Sequence, residues 1–455
     1  MDWCRKWIVG VVALSTLAGI ASAQGVDDLK TSIKALKMRL RDHERRVSEL
    51  EDQQGKFLDF MKEGGAAGGP NDFRVYWKNG LNLKSGDGNF KLKIGGRVMA
   101  DMGWIDGTGI EDDLGTDLQD GVEFRRARMY MSGSIYKNVG YKIQIDFADE
   151  DVALKDVYWQ LKKLPVVGTL TVGKHKMPVS MEELTSSKYI AFMERSLPTV
   201  FVPSRQWGMS LKNTLLEDHL VWQVSAYRLG SDEQFSDGGY NFAARVAWAP
   251  LYEKDQHLLH VGASYALQYI EDAAGGSVRY RQRPEYHMTS ERFVDTGTLS
   301  PVEWAHIYGV ELAGSYGPFW MHSEFIGSCL DGADNGADDY KFSGFTAQAG
   351  YFLTGENRPY KLGSGTWNRV KPKQNFTSDF SGLGAWEVAL RYSYLDLDDN
   401  IANVDAGQQH DVTVGLNWYL NPNTRIMFNY IRACADTVAS SNAADILGVR
   451  FQVDF

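Results

Sequence analysis

The sequence predicts an all-β transmembrane barrel of about 16 antiparallel strands, preceded by an N-terminal α-helical coiled coil. From residue 72 onward apolar and polar residues alternate with a period of two, as in Tyr141, Ile143, Ile145 and Phe147. Such alternation places one face of each strand in an apolar medium and the other in water. Short and long connections also alternate between these segments. Past the first thirty residues no apolar run of about 18 residues occurs, which excludes an ordinary membrane helix but not membrane-spanning strands.

Composition narrows the class of protein further. The chain has 455 residues, of which 44% are hydrophobic and 12% aromatic, with a net charge of −10. It is too apolar for a disordered protein, and its negative charge argues against a nucleic-acid partner. The aromatic content is typical of barrels with aromatic girdles at the membrane interfaces. The Gly-x-Ser-x-Gly, His-Glu-x-x-His and Cys-x-x-Cys motifs are absent from the sequence, so we predict no enzyme, no cofactor and no metal site.

Residues 1–23 are predicted to be a signal peptide. Arg5 and Lys6 make the start positive, an apolar run follows, and Ala21-Ser22-Ala23 supplies small residues at a cleavage position. The chain is therefore expected to be exported.

Residues 24–63 are predicted to form a coiled-coil stalk. Apolar residues recur there with the heptad spacing of a self-associating helix, namely Leu29, Ile33, Leu36, Leu40, Val47, Leu50, Phe57 and Met61. The alternative is a single amphipathic helix that packs on its own domain. Residues 64–71 are glycine-rich and are predicted to be a linker, which leaves residues 72–455 for the barrel.

About sixteen strands are expected between residues 89 and 455, with segment 73–84 as an additional small hairpin. The long connections are expected at 178–205, 271–305 and 329–341, whereas 355–381 is long where the scheme predicts a short turn. The last strand is apolar at every second residue and ends with Phe455. That ending resembles the signal read by the outer-membrane barrel assembly machinery, and a closed barrel leaves no unpaired strand edge in lipid.

Three arginines are candidates for an anion pathway. Arg279, Arg281 and Arg283 share one face of an extended segment, with guanidinium groups recurring every ~6.6 Å. Such a row could pass an oxyanion from one site to the next. The alternatives are a solvated basic strand or one that contacts lipopolysaccharide phosphates.

Further candidates lie in two earlier segments. Arg125 and Arg126 are consecutive, so both line one channel only if the strand is bulged; the alternative is a subunit interface on this strand. Arg97 follows Gly95-Gly96. The long connection 178–205 carries Lys188, and it either caps the barrel outside or folds inward as a constriction.

These segments resemble the phosphate-selective porin family of bacterial outer membranes. The likeness extends in order over about 360 residues, and its motifs are Gly95-Gly96-Arg97, Phe124-Arg125-Arg126-Ala127, Thr185-Ser186-Ser187-Lys188, Glu194-Arg195, the Arg279/Arg281/Arg283 row, Leu353-Thr354-Gly355-Glu356, Gly384-Ala385-Trp386-Glu387 and Gly415-Leu416-Asn417-Trp418-Tyr419. The resemblance implies a homotrimer of 16-stranded barrels, each with a loop folded into its pore. It also implies an arginine ladder that leads to a narrow, anion-binding constriction.

Carried onto this chain, the ladder is Arg279, Arg281 and Arg283. The constriction includes Arg97, Arg125 and Arg126, to which we add Lys188. His287 and Arg292 stand where the family tends to continue its ladder with arginines, and Glu182-Glu183 adds negative charge near the expected constriction. The resemblance therefore implies anion preference more firmly than phosphate specificity.

The expected protein is an outer-membrane channel for passive diffusion of small anions, phosphate or related oxyanions. Its expected surroundings are lipopolysaccharide and outer-membrane lipid, with the coiled coil in the periplasm. The alternative is a general trimeric porin whose coiled coil also tethers the outer membrane to peptidoglycan.

Overall fold

The computed structural model describes residues 26–63, 72–148, 152–230, 239–254, 256–270, 276–332, 339–400, 402, 404–437 and 440–455. They belong to two compact units, an N-terminal helix and a β-domain that follows it. None of the described helices combines the length and the apolar character needed to cross a membrane.

Helix α1 spans Val26–Glu63 and confirms the helical part of the predicted stalk. Its predicted seam is exposed in the single chain, with Ile33, Leu40 and Val47 at 44%, 53% and 43% relative exposure. The pairing of this helix with other copies stays a prediction. The predicted signal peptide at 1–23 and linker at 64–71 lie outside the described residues.

The β-domain is a closed barrel of sixteen antiparallel strands within the described residues, as predicted. It closes where the last strand pairs with the first, from Asp445 opposite Asp106 to Asp454 opposite Arg97. The strands are β3 (Lys91–Asp106), β4 (Gly121–Ile135), β5 (Val139–Asp146), β6 (Ala153–Leu164), β7 (Gly168–Lys176), β8 (Arg205–Leu215), β9 (Leu220–Arg228), β10 (Asn241–Glu253), β11 (His257–Tyr269), β14 (Val302–Tyr316), β15 (Phe319–Gly332), β16 (Tyr340–Phe352), β19 (Ala385–Asp399), β20 (Val404–Asn421), β21 (Thr424–Asp436) and β22 (Ser441–Asp454).

A small hairpin precedes the barrel. Strands β1 (Phe73–Trp77) and β2 (Leu81–Ser85) pair with each other, and β2 pairs with the start of β3. The hairpin predicted at 73–84 is therefore confirmed. It pairs with residues 91–94 of β3, whereas β22 pairs with residues 97–106 of the same strand.

The two faces of each strand differ as the alternation predicts. On β22, Leu447, Phe451 and Val453 are 43–47% exposed on the outer face, whereas Arg450 and Gln452 are buried inside. Lipid requires an apolar exterior, while charged groups are stabilised inside the barrel by partners and water. The inner face of the strands is therefore the place to look for chemistry.

Short turns and long loops lie at opposite ends of the barrel. The short turns are 136–138, 165–167, 216–219, 254–256, 317–318 and 422–423. In outer-membrane barrels this end faces the periplasm. At the other end, the connection expected at 329–341 is shorter, because β15 and β16 extend to Gly332 and from Tyr340.

Three connections fold into the barrel and fill much of it. Loop A (residues 177–204) contains α2 (Met181–Leu184) and a 3₁₀ turn (Leu197–Phe201). Loop B (276–301) contains the short strands β12 (Arg281–Gln282) and β13 (Val294–Asp295). Both come from the long-loop end. Segment C (353–384) comes from the short-turn end and contains β17 (Tyr360–Lys361) and β18 (Thr366–Trp367).

Apolar packing explains why these connections turn inward. Leu197 and Phe201 of loop A pack with Tyr280 of loop B and with β14–β16, while Phe192 packs with Trp367 of segment C. Loop A thus folds into the barrel and is not an outer cap. The long connection at 355–381, unexplained by the strand scheme, packs inside the barrel at the short-turn end over residues 356–370, whereas residues 371–381 are mostly exposed.

Candidate functional site

Loop A is held against the barrel wall by side chains of four consecutive strands, β19 to β22. Each strand supplies one donor to a carbonyl oxygen of residues 190–194: Arg391 Nη1 to Glu194 O at 2.9 Å, Asn417 Nδ2 to Ala191 O at 2.8 Å, Arg425 Nη1 to Ile190 O at 2.7 Å, and Arg450 Nη1 to Met193 O. All four donor residues are buried. Carbonyl groups without a partner would be costly there, so these donors fix the path of the loop.

Glu194 joins the loop to two sides of the barrel. Arg125 of β4 donates two hydrogen bonds of 2.9 Å to its carboxylate, and Arg450 donates one of 2.7 Å. Arg450 also holds Asp101 at 2.6–2.7 Å. Burial alone would raise the pKa of Glu194, but Arg125, Arg126 and Arg450 hold that pKa well below its ordinary value. The loop is therefore fastened by charges that compensate one another.

Three adjoining cavities remain beside the loop. The outer cavity, of about 260 Å³, includes Arg126 and Arg195 in its lining, and the central cavity, of about 520 Å³, shares both residues. The central cavity shares Ser186 and Lys212 with the inner cavity, of about 370 Å³. Since Lys212 lies near the short-turn end of β8, the three cavities follow one another from the long-loop end to the short-turn end.

The central cavity is strongly basic. Nine of its described lining residues are lysine or arginine, namely Arg97, Arg126, Arg128, Lys142, Lys162, Lys176, Arg195, Arg205 and Lys212, whereas one is a carboxylate, Asp156. Asp156 pairs with Lys142 and, at 2.6 Å, with Arg205. Among the described residues, no carboxylate lies within 4 Å of the charged nitrogens of Lys162 or Lys212. Four other lining cations pair with carboxylates that are not in the lining, Arg126 with Glu194, Arg128 with Asp146, and Lys176 and Arg195 with Glu183. Among the described residues, the excess of positive charge is therefore carried mainly by Arg97, Lys162 and Lys212.

A β-bulge places two consecutive arginines inside the barrel. In the pairing of β3 with β4, Met99 lies opposite Arg126 and Ala100 opposite Phe124, so Arg125 has no partner in the register. Both Arg125 and Arg126 contact Glu194 of loop A, the second at 3.5 Å. Phe124 is 63% exposed on the outer face. The strand is therefore bulged, which is the condition under which both arginines were predicted to point into one channel.

Arg97 lies on the next strand at the same cavity. Its Nη1 donates a 2.6 Å hydrogen bond to Ser187 Oγ of loop A, and it lies opposite Arg128 in the β3–β4 pairing. Arg128 is already paired with Asp146, with 2.6 Å between Nε and Oδ2. Arg97 has no carboxylate within 4 Å among the described residues, so its charge is the less compensated of the two.

The family assignment rests on the whole barrel. The family model for phosphate-selective porin O and P matches residues 92–455. The chain belongs to this family. It is an outer-membrane β-barrel porin, and its family and fold are those of a channel rather than an enzyme.

Two relatives show how this porin compares in sequence. It is 28% identical to Porin O of Pseudomonas aeruginosa over 406 aligned residues. The alignment covers 82% of this chain and 90% of the relative. It is 32% identical over 375 residues to an uncharacterized protein of Caulobacter vibrioides, which covers 78% of this chain and 71% of the relative.

Solved porins share the fold at low sequence identity. The anion-selective porin from Comamonas acidovorans superposes with a TM-score of 0.52 at 12% identity, over 80% of this chain and 99% of that one. OmpT of Vibrio cholerae superposes with a TM-score of 0.50 at 10% identity, over 81% and 98% of the two chains. These matches support the barrel architecture alone.

The structure places the predicted site residues in different surroundings. Arg97 and Arg126 line the central cavity, and Arg125 and Arg283 line the outer one. Arg279 is exposed and pairs with Asp295 of loop B, with 2.7 Å between Nε and Oδ1. Arg281 is also exposed. Lys188 lies apart from the outer cavity, where its Nζ is 3.2 Å from Asp454 Oδ2.

Sequence reasoning missed much of the basic wall. Lys142, Lys162 and Lys212 lie on β5, β6 and β8 and line the central cavity. Lys142 stands between Tyr141 and Ile143 on the polar face of an alternating strand. A search for cations on the polar faces of neighbouring strands could have found them, whereas a search for clustered arginines could not.

We expect Arg450→Met to loosen loop A, because Asp101 and Glu194 would lose a shared, fully buried partner. Breaking a buried ion pair in this way typically costs about 3–5 kcal/mol. The midpoint of heat unfolding, followed by gel mobility of the folded barrel, should fall, and loop A should become sensitive to protease.

Arg432→Met is the matched control. Arg432 of β21 pairs with Asp445 of β22, the strand that carries Arg450. About half of each side chain is exposed, and an exposed pair contributes about 1 kcal/mol or less. Equal losses of heat resistance in the two variants would contradict the anchoring role.

Proposed function

We propose that this porin conducts small anions, phosphate or related oxyanions, by passive diffusion through the three adjoining cavities. The observation that carries the proposal is the central cavity, with nine lysine or arginine residues and one carboxylate among its described lining residues. Support also comes from the description of the family as phosphate-selective and from the names of two relatives, Porin O and an anion-selective porin.

The physical mechanism needs no energy input. An anion that enters the basic path loses part of its hydration and gains charge-assisted hydrogen bonds from guanidinium and ammonium groups. Several comparable groups in sequence allow it to move on, because no single site holds it too tightly. The net charge of −10 is compatible with this path, since charges beyond a Debye length of ~8–10 Å contribute little inside it.

We assign the seven predicted residues to two stretches of this path. Arg279, Arg281 and Arg283 attract anions at the long-loop end, and Arg97, Arg125, Arg126 and Lys188 surround the constriction. Four of these charges have a carboxylate within 4 Å: Arg279 pairs with Asp295, Arg125 and Arg126 with Glu194, and Lys188 with Asp454. Arg97 lines the central cavity and has no such partner among the described residues, so it is the strongest candidate for direct contact.

We further propose a homotrimer in the outer membrane, in contact with lipopolysaccharide and lipid, with α1 as a periplasmic coiled coil. The exposed apolar seam of α1, including Leu50 at 63% exposure, favours association with other copies. A tether from this coiled coil to peptidoglycan is the second candidate function, favoured by the length of a 38-residue helix.

Lys212→Gln should weaken anion selection, because Lys212 lines both the central and the inner cavity. Loss of a hydrogen bond to a charged group, about 1.5 kcal/mol, should raise the phosphate concentration for half-block of the chloride current roughly tenfold. The measurement is reversal potential in planar bilayers under a KCl gradient, followed by titration with phosphate. Arg432→Gln, at an exposed site, is the control. Cation preference in the unchanged porin would contradict the proposal. An unchanged phosphate concentration for half-block in Lys212→Gln would show that the anion path does not pass Lys212.

Arg283→Ala should reduce anion selectivity more than Arg279→Ala. Arg283 lines the outer cavity, whereas the charge of Arg279 is offset by Asp295. Asp295→Asn should accordingly raise the selectivity by releasing Arg279. The reversal potentials of these three variants test the role of the ladder. A larger effect of Arg279→Ala than of Arg283→Ala would contradict entry of anions through the outer cavity.

Deleting residues 24–70 should leave conductance unchanged, because the barrel and its three inward connections lie within 72–455. Sedimentation of the porin with cell-wall fragments measures the tether. Reduced co-sedimentation with normal conductance would support it, and unchanged co-sedimentation would remove it.

A further inference from the structure

Asp454 of β22 joins two of the three inward connections, loop A and segment C, to the strand that closes the barrel. Its carboxylate is 3.2 Å from Nζ of Lys188 in loop A, and it accepts two hydrogen bonds from Arg369 of segment C. Asp454 is 2% exposed and Arg369 7%. One buried carboxylate therefore holds a cation from each of two segments that enter the barrel from opposite ends.

Tyr189 adds a second link between the same segments. Lys188 and Arg369 lie 5.5 and 5.3 Å from the centre of its ring, and Arg369 Nη2 donates a hydrogen bond of 3.4 Å to its hydroxyl. The backbone carbonyl of Lys188 accepts a hydrogen bond from Gln452 of β22 at 3.3 Å. Lys188, in the middle of loop A, is thus attached to the closing strand by both its backbone and its side chain.

The cluster borders the central cavity. Lys188 Nζ lies 5.9 Å from the ring centre of Tyr130, and so does Nζ of Lys142, which lines the cavity. Ser187, next to Lys188, also lines the cavity and binds Arg97. Lys188 is therefore a close neighbour of that cavity, although it is not one of its lining residues.

We propose that Asp454 is a positioning residue for the anion pathway: it fixes loop A and segment C to the closing strand and keeps Lys188 charged beside the central cavity. This inference rests on the proposed function, because its test measures the anion selectivity of the channel. Asp454 itself touches no permeating ion and acts through Lys188 and Arg369.

The groups around Lys188 set its charge. They are Asp454 on β22, Arg97 and Lys93 on β3, Tyr130 on β4, Arg369 in segment C and Tyr189 in loop A. Burial lowers the pKa of Lys188 to about 8, Asp454 raises it, and Arg97 and Arg369 lower it. Anion selectivity should therefore decline as the pH rises through about 8, where Lys188 loses its proton.

The test is the reversal potential in a KCl gradient between pH 6 and 10, since chloride does not titrate in this range. Asp454→Asn should move the midpoint of the decline to lower pH by about one unit or more, because an opposite charge at this distance shifts a pKa by about that amount. Arg369→Gln should move the midpoint to higher pH. Lys188→Arg should reduce the size of the decline, and Asp454→Glu should keep the midpoint of the unchanged porin.

Asp445→Asn is the matched control, since Asp445 lies on the same strand and pairs with Arg432 at an exposed site. Three results would each overturn the inference: an unchanged midpoint in Asp454→Asn, shifts in the same direction in Asp454→Asn and Arg369→Gln, or a decline of unchanged size in Lys188→Arg. If Asp454→Asn fails to assemble, Arg369→Gln and Lys188→Arg still decide. Failure of the proposed function can be distinguished from failure of this inference, because in that case the unchanged porin would show no anion preference at pH 6.

Discussion

The arrangement of the barrel interior depends on hydrogen bonds from the wall to the backbone of loop A. Strands β19 to β22 each place one buried donor against a carbonyl of residues 190–194. A loop inside a barrel has no neighbouring strand to pair with, so its carbonyl groups need side-chain donors. Arginine suits this task, because one guanidinium can bind a carbonyl and a carboxylate at once.

This arrangement divides the arginines of the lumen into two kinds. Arg391, Arg425 and Arg450 are fully buried and bind backbone or carboxylate groups on one side of the barrel. Arg97 and Arg126 lie on β3 and β4, the strands that follow β22 around the closed barrel, and line the central cavity. The first kind narrows the lumen and the second gives the remaining space its charge. Counting arginines on inward faces would treat the two kinds as equivalent.

The sequence predicted the barrel well because lipid imposes alternation on every strand. The count of sixteen strands, the hairpin before β3 and the helical segment of the stalk all followed from local periodicity. The paired inward direction of Arg125 and Arg126 was predicted only on condition of a bulge, because the sequence around them carries no signal that fixes the register.

The interior was harder to predict, because its contacts join distant residues. Whether loop A caps the barrel or enters it depends on donors 197 to 257 positions further along the chain. The pairing of Arg279 with Asp295 and of Lys188 with Asp454 likewise depends on the fold of loop B and on barrel closure. Segment C was recognisable as an anomaly in the connection lengths, but its contacts with Tyr189 and Asp454 lie outside any local pattern.

The attachment of loop A to the last four strands also has a consequence in time. Contacts between residues so far apart form late, since the entropy of closing long chain segments must be overcome first. A nascent barrel without β19 to β22 lacks the four donors to the carbonyl groups of residues 190–194, so the path of loop A is not yet fixed. Loop A therefore takes its final position only after the last four strands are in place.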